Sequence, residues 1–182
     1  LAAGIEQADS WTCDGHKWLN TPYDSAMAIC RDASALAAAM NSDAAYAMAS
    51  AHAQTNLTLE FSRRARGVAI WAALANLGRD GLRRMIDRHI RQARLLADAL
   101  SAGGYQVLNQ VPLNQVLVRA DSDAQTDAIR EAVQGSGEAW FGPTRWQGRP
   151  AFRLSVSSWR TTDEDIQALA ELLLRLKRQS GA

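Results

Sequence analysis

Apolar and polar positions along the chain predict a first part built of short strands, a loop and one helix. The run "DSAMAIC" (24–30) is apolar and follows Pro22, so it predicts a buried strand and not a helix. Residues 31–59 are rich in Ala, Ser, Asn and Thr with little periodicity, which predicts a long loop with short helical pieces. Apolar residues return at helical spacing from Arg66, and Gly78 is expected to end that helix. The apolar face predicted for this helix comprises Val68, Trp71, Ala72 and Ala75.

The pattern after Gly78 predicts an α+β unit, which places a domain boundary there. A longer helix over 80–100 is followed by strand, strand, helix, strand, strand and helix. Ser122 is the expected N-cap of the first of these two later helices. Thr161 and Glu164 form a capping-box pattern ahead of the last helix. The core positions predicted for that last helix are Ile166, Leu169, Ala170, Leu173 and Leu176.

Composition and charge narrow the classes of function. The 182 residues carry a net charge of +1, so the overall balance does not favour nucleic acid or an anionic membrane as a partner. Arginines of the 80–100 helix alternate with Asp80, Asp87 and Asp98, which favours a solvated face over a nucleic-acid surface. The three histidines are isolated in sequence, so no metal site is expected. Two cysteines make no disulfide framework and no apolar run is long enough to span a membrane, which favours a cytoplasmic location.

Lys17, in "CDGHKWLNTPYD", is one of only two lysines beside eighteen arginines. A lysine that attacks a carbonyl must lose its proton well below its usual pKa of about 10.4, which requires partial burial or nearby positive charge. His16 and Trp18 flank Lys17 and predict such a pocket, although an ordinary surface lysine is the alternative. The other lysine, Lys177, lies at the end of the last helix, where a cation complements the helix dipole.

Three segments together resemble one family of enzymes. "ADSWTCDGHKWLNTPYDSAMAI" resembles the lysine motif of the group II pyridoxal-phosphate-dependent amino-acid decarboxylases. "EFSRRARGVAIWAALANLGRDGL" is similar to the family's arginine-rich helix, and "FRLSVSSWRTTDEDI" is similar to its closing strand and helix. The resemblance implies an α/β fold, the fold-type-I PLP-dependent transferase architecture of aspartate aminotransferase. Residues 1–78 would then be the C-terminal segment of the large PLP-binding domain, and 79–182 the small α+β domain.

The resemblance also implies roles for single residues. Lys17 matches the lysine that binds pyridoxal 5'-phosphate covalently, and His16 matches a neighbour that lines the cofactor pocket. Asp14 matches a position on the phosphate side that is Asn in some relatives. Tyr46 stands at the spacing of a loop tyrosine that returns a proton to the α-carbon, with a solvent-exposed tyrosine as the alternative.

Arg153 has support from its own strand pattern. In "AFRLSVS", apolar Phe152, Leu154 and Val156 alternate with Arg153 and Ser155, so Arg153 should face away from the core. A guanidinium there could hold a substrate carboxylate by two hydrogen bonds, as the resemblance implies, or could be a surface residue. The aromatic residues that could line an aromatic pocket, or pack in the core or at an interface, are Trp140, Phe141 and Trp146.

The function that the resemblance implies is release of carbon dioxide from an L-amino acid, in a homodimer with its active site at the interface. Two alternatives stay open: an aldehyde-forming oxidative deamination on the same cofactor, and a non-catalytic dimerisation module. The family carries its phosphate loop and the Asp that pairs with the pyridine nitrogen ahead of the lysine motif. We therefore expect this chain to be the C-terminal portion of such an enzyme and to be inactive alone.

Overall fold

The computed structural model of the chain describes residues 2–40, 57–60 and 62–180. It divides into two compact units, Leu1–Asn76 and Leu77–Ala182, which we call unit 1 and unit 2. We describe each unit by itself.

Unit 1 contains a two-stranded antiparallel sheet. After a short 3-10 turn at Ile5–Gln7, β1 (Ser10–Asp14) pairs with β2 (Ala26–Cys30), with Asp14 opposite Ala26. The predicted strand at 24–30 is therefore confirmed over most of its length, but the prediction that it is buried is wrong, because no residue of β2 is buried. The pairing brings the two ends of the 15–25 connection, which carries Lys17, next to each other.

Two helices belong to the rest of unit 1. Helix α1 (Ala33–Met40) lies within the segment predicted as a loop with short helical pieces. Helix α2 (Arg66–Ala102) begins in unit 1 and has non-helical backbone at Gly78, where φ is 63° and ψ is 178°. Because side chains clash in that conformation, glycine is essentially the only residue that adopts it. The predicted helix end at Gly78 is thus confirmed as a break inside a longer element.

The predicted apolar face of the first part of α2 is wrong. Val68 is 63% and Trp71 70% exposed, whereas Ile70 is buried. Ile70 packs against the backbone of Gly15, where a side-chain Cβ would lie 3.1 Å from the Ile70 Cγ1. The sequence pattern missed this because the contact depends on the missing side chain of a glycine far away in the chain.

Unit 2 is built on a four-stranded antiparallel sheet in the order β3-β4-β6-β5. The strands are β3 (Gln106–Val107), β4 (Gln115–Arg119), β5 (Pro143–Trp146) and β6 (Arg149–Ser155). The second part of α2, α3 (Asp123–Ser136) and α4 (Asp163–Ser180) complete the unit. Buried residues of these strands and helices form one apolar core, with Leu96, Val118, Ile129, Phe152 and Leu173 fully buried. The predicted α+β pattern is confirmed for this unit.

The two predicted helix caps have different outcomes. The Ser122 Oγ accepts a hydrogen bond from the Gln125 backbone N–H at 3.1 Å, which confirms the cap of α3. The capping box of α4 lies one residue later than predicted: the Thr162 Oγ1 accepts from the Asp165 N–H at 3.2 Å, and Asp165 accepts from the Thr162 N–H at 2.8 Å. Thr161 lies outside the helix, where its carbonyl accepts a bond from the Gln92 side chain.

Candidate active site

Lys17 lies in the connection between β1 and β2, residues 15–25, which we call the lysine loop. Backbone hydrogen bonds close it on itself: Thr21 N–H donates to Gly15 O at 3.1 Å, and His16 N–H donates to Ser25 O at 3.1 Å. Inside the loop, Asn20 N–H donates to Lys17 O at 3.2 Å. The lysine backbone is therefore held by bonds across the loop.

The side chain of Lys17 is accessible, which contradicts the partial burial expected from the sequence. It is 71% exposed, and its Nζ lies 2.5 Å from Asp14 Oδ2. The hydrogen bond from Lys17 holds the pKa of Asp14 below its usual value, while partial desolvation opposes the shift. The residue that approaches the Lys17 amine in unit 1 is thus a carboxylate, and the neighbouring His16 is turned elsewhere.

His16 is fixed by the far end of the lysine loop. Its Nδ1 lies 2.8 Å from Ser25 O, so Nδ1 carries a proton and donates it to this carbonyl. The His16 ring packs on the Tyr23 ring, with centroids 4.5 Å apart and planes tilted by 56°. The residue before Lys17 is therefore held at its backbone, at one ring nitrogen and at one ring face.

Three small residues of the lysine loop, which the sequence pattern does not single out, pack closely together. Thr21 and Ser25 are buried, and their hydroxyl oxygens lie 2.5 Å apart, while Ser25 Oγ donates to Pro22 O at 2.8 Å. A Cβ at Gly15 would lie 2.7 Å from the Thr21 Oγ1, so only glycine fits there. The one available signal was the glycine itself, placed directly before His16.

Asp24 binds two arginines from the segment that leads into α2. Arg66 donates from Nε to Asp24 Oδ1 at 3.0 Å and from Nη2 to Oδ2 at 3.1 Å. The Arg64 Nη2 lies 2.5 Å from both Asp24 Oδ1 and the Tyr23 carbonyl oxygen. The hydrogen bond from Arg66, helped by its charge and that of Arg64, lowers the pKa of Asp24 to about 2. The sequence pattern does not indicate this contact, because Asp24 and Arg64 lie 40 residues apart.

Arg153 lies in unit 2, on the outer face of β6. Phe152, Leu154 and Val156 are buried while Arg153 and Ser155 are exposed, so the predicted alternation of this strand is confirmed. Its role in binding a substrate carboxylate stays a prediction. The structure thus pairs Lys17 with Asp14 in unit 1, while the His16 side chain contacts Ser25 and Tyr23. Tyr46 falls outside the described residues.

The three aromatic residues of unit 2 have different surroundings. Phe141 is buried and stacks on Phe152 with ring centroids 4.8 Å apart. Together with the exposed Trp140 it lines a cavity of about 330 Å³ that also contains Leu154 and Ile166. Trp146, on β5, does not line this cavity. The prediction of an aromatic pocket therefore holds for Trp140 and Phe141, and the core alternative also holds for Phe141.

The part of the chain that the structure describes contains neither a membrane-spanning helix nor a cluster of metal-binding side chains. No helix in residues 2–40, 57–60 and 62–180 is long and apolar enough to cross a membrane. Within the same ranges, no three side chains of His, Cys, Asp or Glu are grouped so that they could hold a metal ion.

Two known proteins illustrate what this chain is similar to in sequence. An aromatic-L-amino-acid decarboxylase of Bacillus atrophaeus is 29% identical over 197 residues, which cover 94% of this chain and 40% of that protein. A phenylacetaldehyde synthase of Arabidopsis thaliana is 23% identical over 180 residues, which cover 90% of this chain and 36% of that protein. The chain thus spans well under half the length of these relatives.

A solved structure shows the same fold. The crystal structure of Oryza sativa TDC with PLP and tryptamine matches with a TM-score of 0.90 at 20% identity, over 98% of this chain and 40% of that one. This likeness confirms the expected α/β, fold-type-I architecture. The conserved domain described as pyridoxal-dependent decarboxylase matches residues 1–119, which include the lysine loop and α2. With its lysine motif, its fold and this domain in agreement, the chain belongs to the pyridoxal-dependent decarboxylase family.

Proposed function

We propose that this chain is part of a decarboxylase of L-amino acids in which Lys17 binds pyridoxal 5'-phosphate covalently. The observation that carries the proposal is an accessible amine on a loop whose backbone is fixed by hydrogen bonds on both sides of it. An amine that attacks an aldehyde carbon needs free access and a defined position, and the lysine loop supplies both. Residues 1–78 would form the end of the large cofactor domain and 79–182 the small domain, in a cytoplasmic homodimer with its active site at the interface.

The residues in and beside the lysine loop are suited to hold pyridoxal 5'-phosphate. When bound, the cofactor supplies a sink for the electron pair that carbon dioxide leaves behind. Lys17 holds it through Nζ. Asp14, whose pKa is lowered, stays ionised near neutral pH and orients the Lys17 side chain through its carboxylate. Because only the deprotonated amine attacks an aldehyde, the Lys17 proton would have to pass to water before the bond forms. His16 offers a flat ring in a fixed plane as a wall of the cofactor pocket.

Two further residues complete the proposal. Arg153, exposed on β6, would bind a carboxylate of the substrate. An arginine that gripped the departing α-carboxylate tightly would stabilise the ground state and slow its loss, so a second carboxylate or a loose contact suits decarboxylation better. Tyr46 would return a proton to the α-carbon after carbon dioxide has left.

The two lysines of the chain allow a matched test of the Lys17 assignment. The full-length protein is incubated with pyridoxal 5'-phosphate, reduced with borohydride, digested and analysed by mass spectrometry. We expect one cofactor adduct per chain, on Lys17, and none on Lys177, whose Nζ contacts Gly104 O and Asp121. Lys17→Ala should lose the adduct and reduce turnover by orders of magnitude, while Lys177→Ala should keep both. A stoichiometric adduct that persists in Lys17→Ala would refute the assignment.

An aldehyde-forming activity is the second candidate, because a phenylacetaldehyde synthase is among the relatives. The variant Tyr46→Phe keeps the ring and removes only the proton donor. If Tyr46 returns the proton, the variant should still release carbon dioxide but form less amine, with a carbonyl product and oxygen consumption instead. Unchanged amine yield would show that another group returns the proton, and a wild-type protein that forms only the carbonyl product would favour the second candidate.

A further inference from the structure

We propose that Asp24, bound by Arg64 and Arg66, is a positioning residue that holds the lysine loop in the geometry that Lys17 needs. The proposal rests on the function proposed above, because it assigns a task within the same site. We call these three side chains the arginine clamp. Asp24 does not contact Lys17, so it would act through the residues on either side of it.

The Asp24 carboxylate accepts three side-chain hydrogen bonds. Arg66 binds both oxygens of Asp24 side by side, and Arg64 adds a third bond to Oδ1. A planar guanidinium matched to both oxygens fixes orientation as well as distance. Arg64 also donates to the Tyr23 carbonyl, so the backbone beside Asp24 is held by the same group. The clamp therefore fixes the end of the lysine loop to a segment about forty residues later.

Asp24 is connected to Lys17 through contacts that its two neighbours make with His16. Tyr23, the residue before Asp24, packs its ring on His16. Ser25, the residue after it, accepts two bonds from His16 through its carbonyl, one from the backbone N–H and one from Nδ1. Both neighbours of Asp24 thus hold the residue that directly precedes Lys17. A shift of the 23–25 segment would release His16 at all three points.

The arginine clamp is better suited to fix the position of a side chain than to stabilise the fold. Arg64 is 59%, Asp24 47% and Arg66 30% exposed, and ion pairs open to water contribute little to global stability because water and salt screen them. Directional bonds on a loop nevertheless restrict where one side chain can be, and a displacement of about 1 Å at a reacting group can lower turnover about 100-fold. The clamp should therefore affect the position of the Lys17 amine more than the free energy of unfolding.

Unit 2 contains a matched control for this idea. Asp163 is bound side by side by Arg91 at 2.8 and 2.9 Å, and Gln92 donates a third bond to Oδ1 at 2.9 Å. Asp163 matches Asp24 in the number of bonds on its carboxylate and in its own exposure, 49% against 47%, although its third donor, Gln92, is buried. It lies at the start of α4 and not beside a lysine. Asp24→Asn and Asp163→Asn therefore remove the same kind of interaction with and without the proposed task.

The test uses the full-length protein and two readouts, only one of which needs the cofactor. By amide hydrogen exchange without cofactor, Asp24→Asn should speed exchange at His16 and Thr21 at least tenfold, while the midpoint of thermal unfolding stays within the range of Asp163→Asn. With cofactor, Asp24→Asn should lower kcat about 10- to 100-fold with little change in KM. Asp163→Asn should leave both loop exchange and kcat at wild-type values.

Two further measurements keep the test decisive if Asp24→Asn does not fold. Arg66→Gln should reproduce its effects, and 1 M salt should speed lysine-loop exchange in the wild type by screening the clamp. If Asp24→Asn and Arg66→Gln both kept wild-type loop exchange and kcat, the proposed role of the arginine clamp would be wrong. The assignment of Lys17 by its cofactor adduct would not be affected by that result. A different outcome would be that the cofactor adduct is not on Lys17 while Asp24→Asn still speeds exchange in the lysine loop. That result would refute the proposed function and show that the arginine clamp holds the loop without a catalytic role.

Discussion

The two units of the chain are stabilised by different interactions. Unit 2 has one large apolar core formed by its strands and helices. In unit 1, the buried positions among residues 2–40, 57–60 and 62–76 are Gly15, Thr21, Ser25 and Ile70. Only Ile70 has a large apolar side chain. The contacts that shape the described part of unit 1 are therefore mostly hydrogen bonds and ion pairs.

This difference suits the different tasks of the two units. Apolar contacts are strong in sum but not directional, so they hold a fold together without fixing one atom closely. Hydrogen bonds and bidentate ion pairs contribute less net free energy but define distance and angle. The contacts described for the lysine loop are of the second kind. Substitutions in unit 2 should thus change stability, and substitutions in the lysine loop should change local geometry.

The largest change in the free energy of unfolding is expected for a substitution in the core of unit 2. Phe152 is fully buried and contacts the rings of Tyr105 and Phe141. Phe152→Ala should lower the free energy of unfolding by about 3–5 kcal/mol, because it removes a large buried surface and leaves a cavity. Trp71→Ala, in unit 1, removes an even larger side chain that is 70% exposed, and should change the value by less than about 0.5 kcal/mol.

Urea titration followed by circular dichroism measures both values. Equal losses for the two variants would show that the exposed face of α2 is packed in solution, and that unit 1 has more apolar stabilisation than its described residues indicate. A small loss for Phe152→Ala would remove the basis of the comparison, since the core of unit 2 would then not determine stability.

How far the sequence predicted these features also differs between the units. In unit 2 the alternation in β6, the helical spacing in α4 and the Ser122 cap were all readable, because each follows from local periodicity or from one capping residue. The capping box was misplaced by one residue, since Thr161-Thr162 offers two candidate caps and the Gln92 contact that involves Thr161 is distant in sequence.

In unit 1 the motif around Lys17 was recognised, but its physical setting was not. The burial of Ile70, the bonds of Asp24 and the orientation of His16 all depend on partners that are distant in sequence or on the absence of a side chain at Gly15. Local patterns carry no information about such contacts. The motif makes Lys17 recognisable, whereas its exposure and its pairing with Asp14 do not follow from its neighbours in the sequence.

A second prediction compares two tyrosines at alkaline pH. Tyr105, in unit 2, is buried, and its hydroxyl donates to Leu173 O at 2.7 Å. Burial, with the charge of Asp121 as a smaller cause, raises the pKa of Tyr105 far above its usual value. The unfolded chain then loses this proton near pH 10 while the folded chain keeps it, so the folded state binds more protons. Tyr105 should therefore lower the free energy of unfolding above about pH 10, by up to about 1.4 kcal/mol per pH unit.

Tyr105→Phe isolates this effect from other groups that titrate in the same range. The variant should lose about 1 kcal/mol at pH 7 with its hydrogen bond, and its stability should fall less steeply than that of the wild type between about pH 10 and 11.5. Tyr23→Phe is the control from unit 1, where the side chain is 79% exposed, and it should keep the wild-type slope. Parallel curves for Tyr105→Phe and the wild type would mean that Tyr105 titrates normally and is open to water.

The smallest expected effect compares the N-caps of two helices. In unit 2, Ser122→Ala removes the side-chain acceptor for the Gln125 N–H and should lower the free energy of unfolding by about 1 kcal/mol, because α3 packs on the core through Ile129 and Val133. In unit 1, Asp32 Oδ1 accepts from the Ser34 N–H at 2.8 Å and the Ala35 N–H at 3.1 Å, at the start of α1.

The reason to expect different readouts is that α1 contributes no buried residue. Losing its cap in Asp32→Ala should fray the first turn locally, since local opening costs less free energy than global unfolding where few apolar contacts are made. Amide exchange at Ser34 and Ala35 should therefore rise in Asp32→Ala while the urea midpoint stays unchanged, and Ser122→Ala should lower that midpoint. If Asp32→Ala lowered the urea midpoint as much as Ser122→Ala, α1 would belong to the same cooperative unit as the core. The contrast between a packed unit 2 and a polar unit 1 would then not hold for α1.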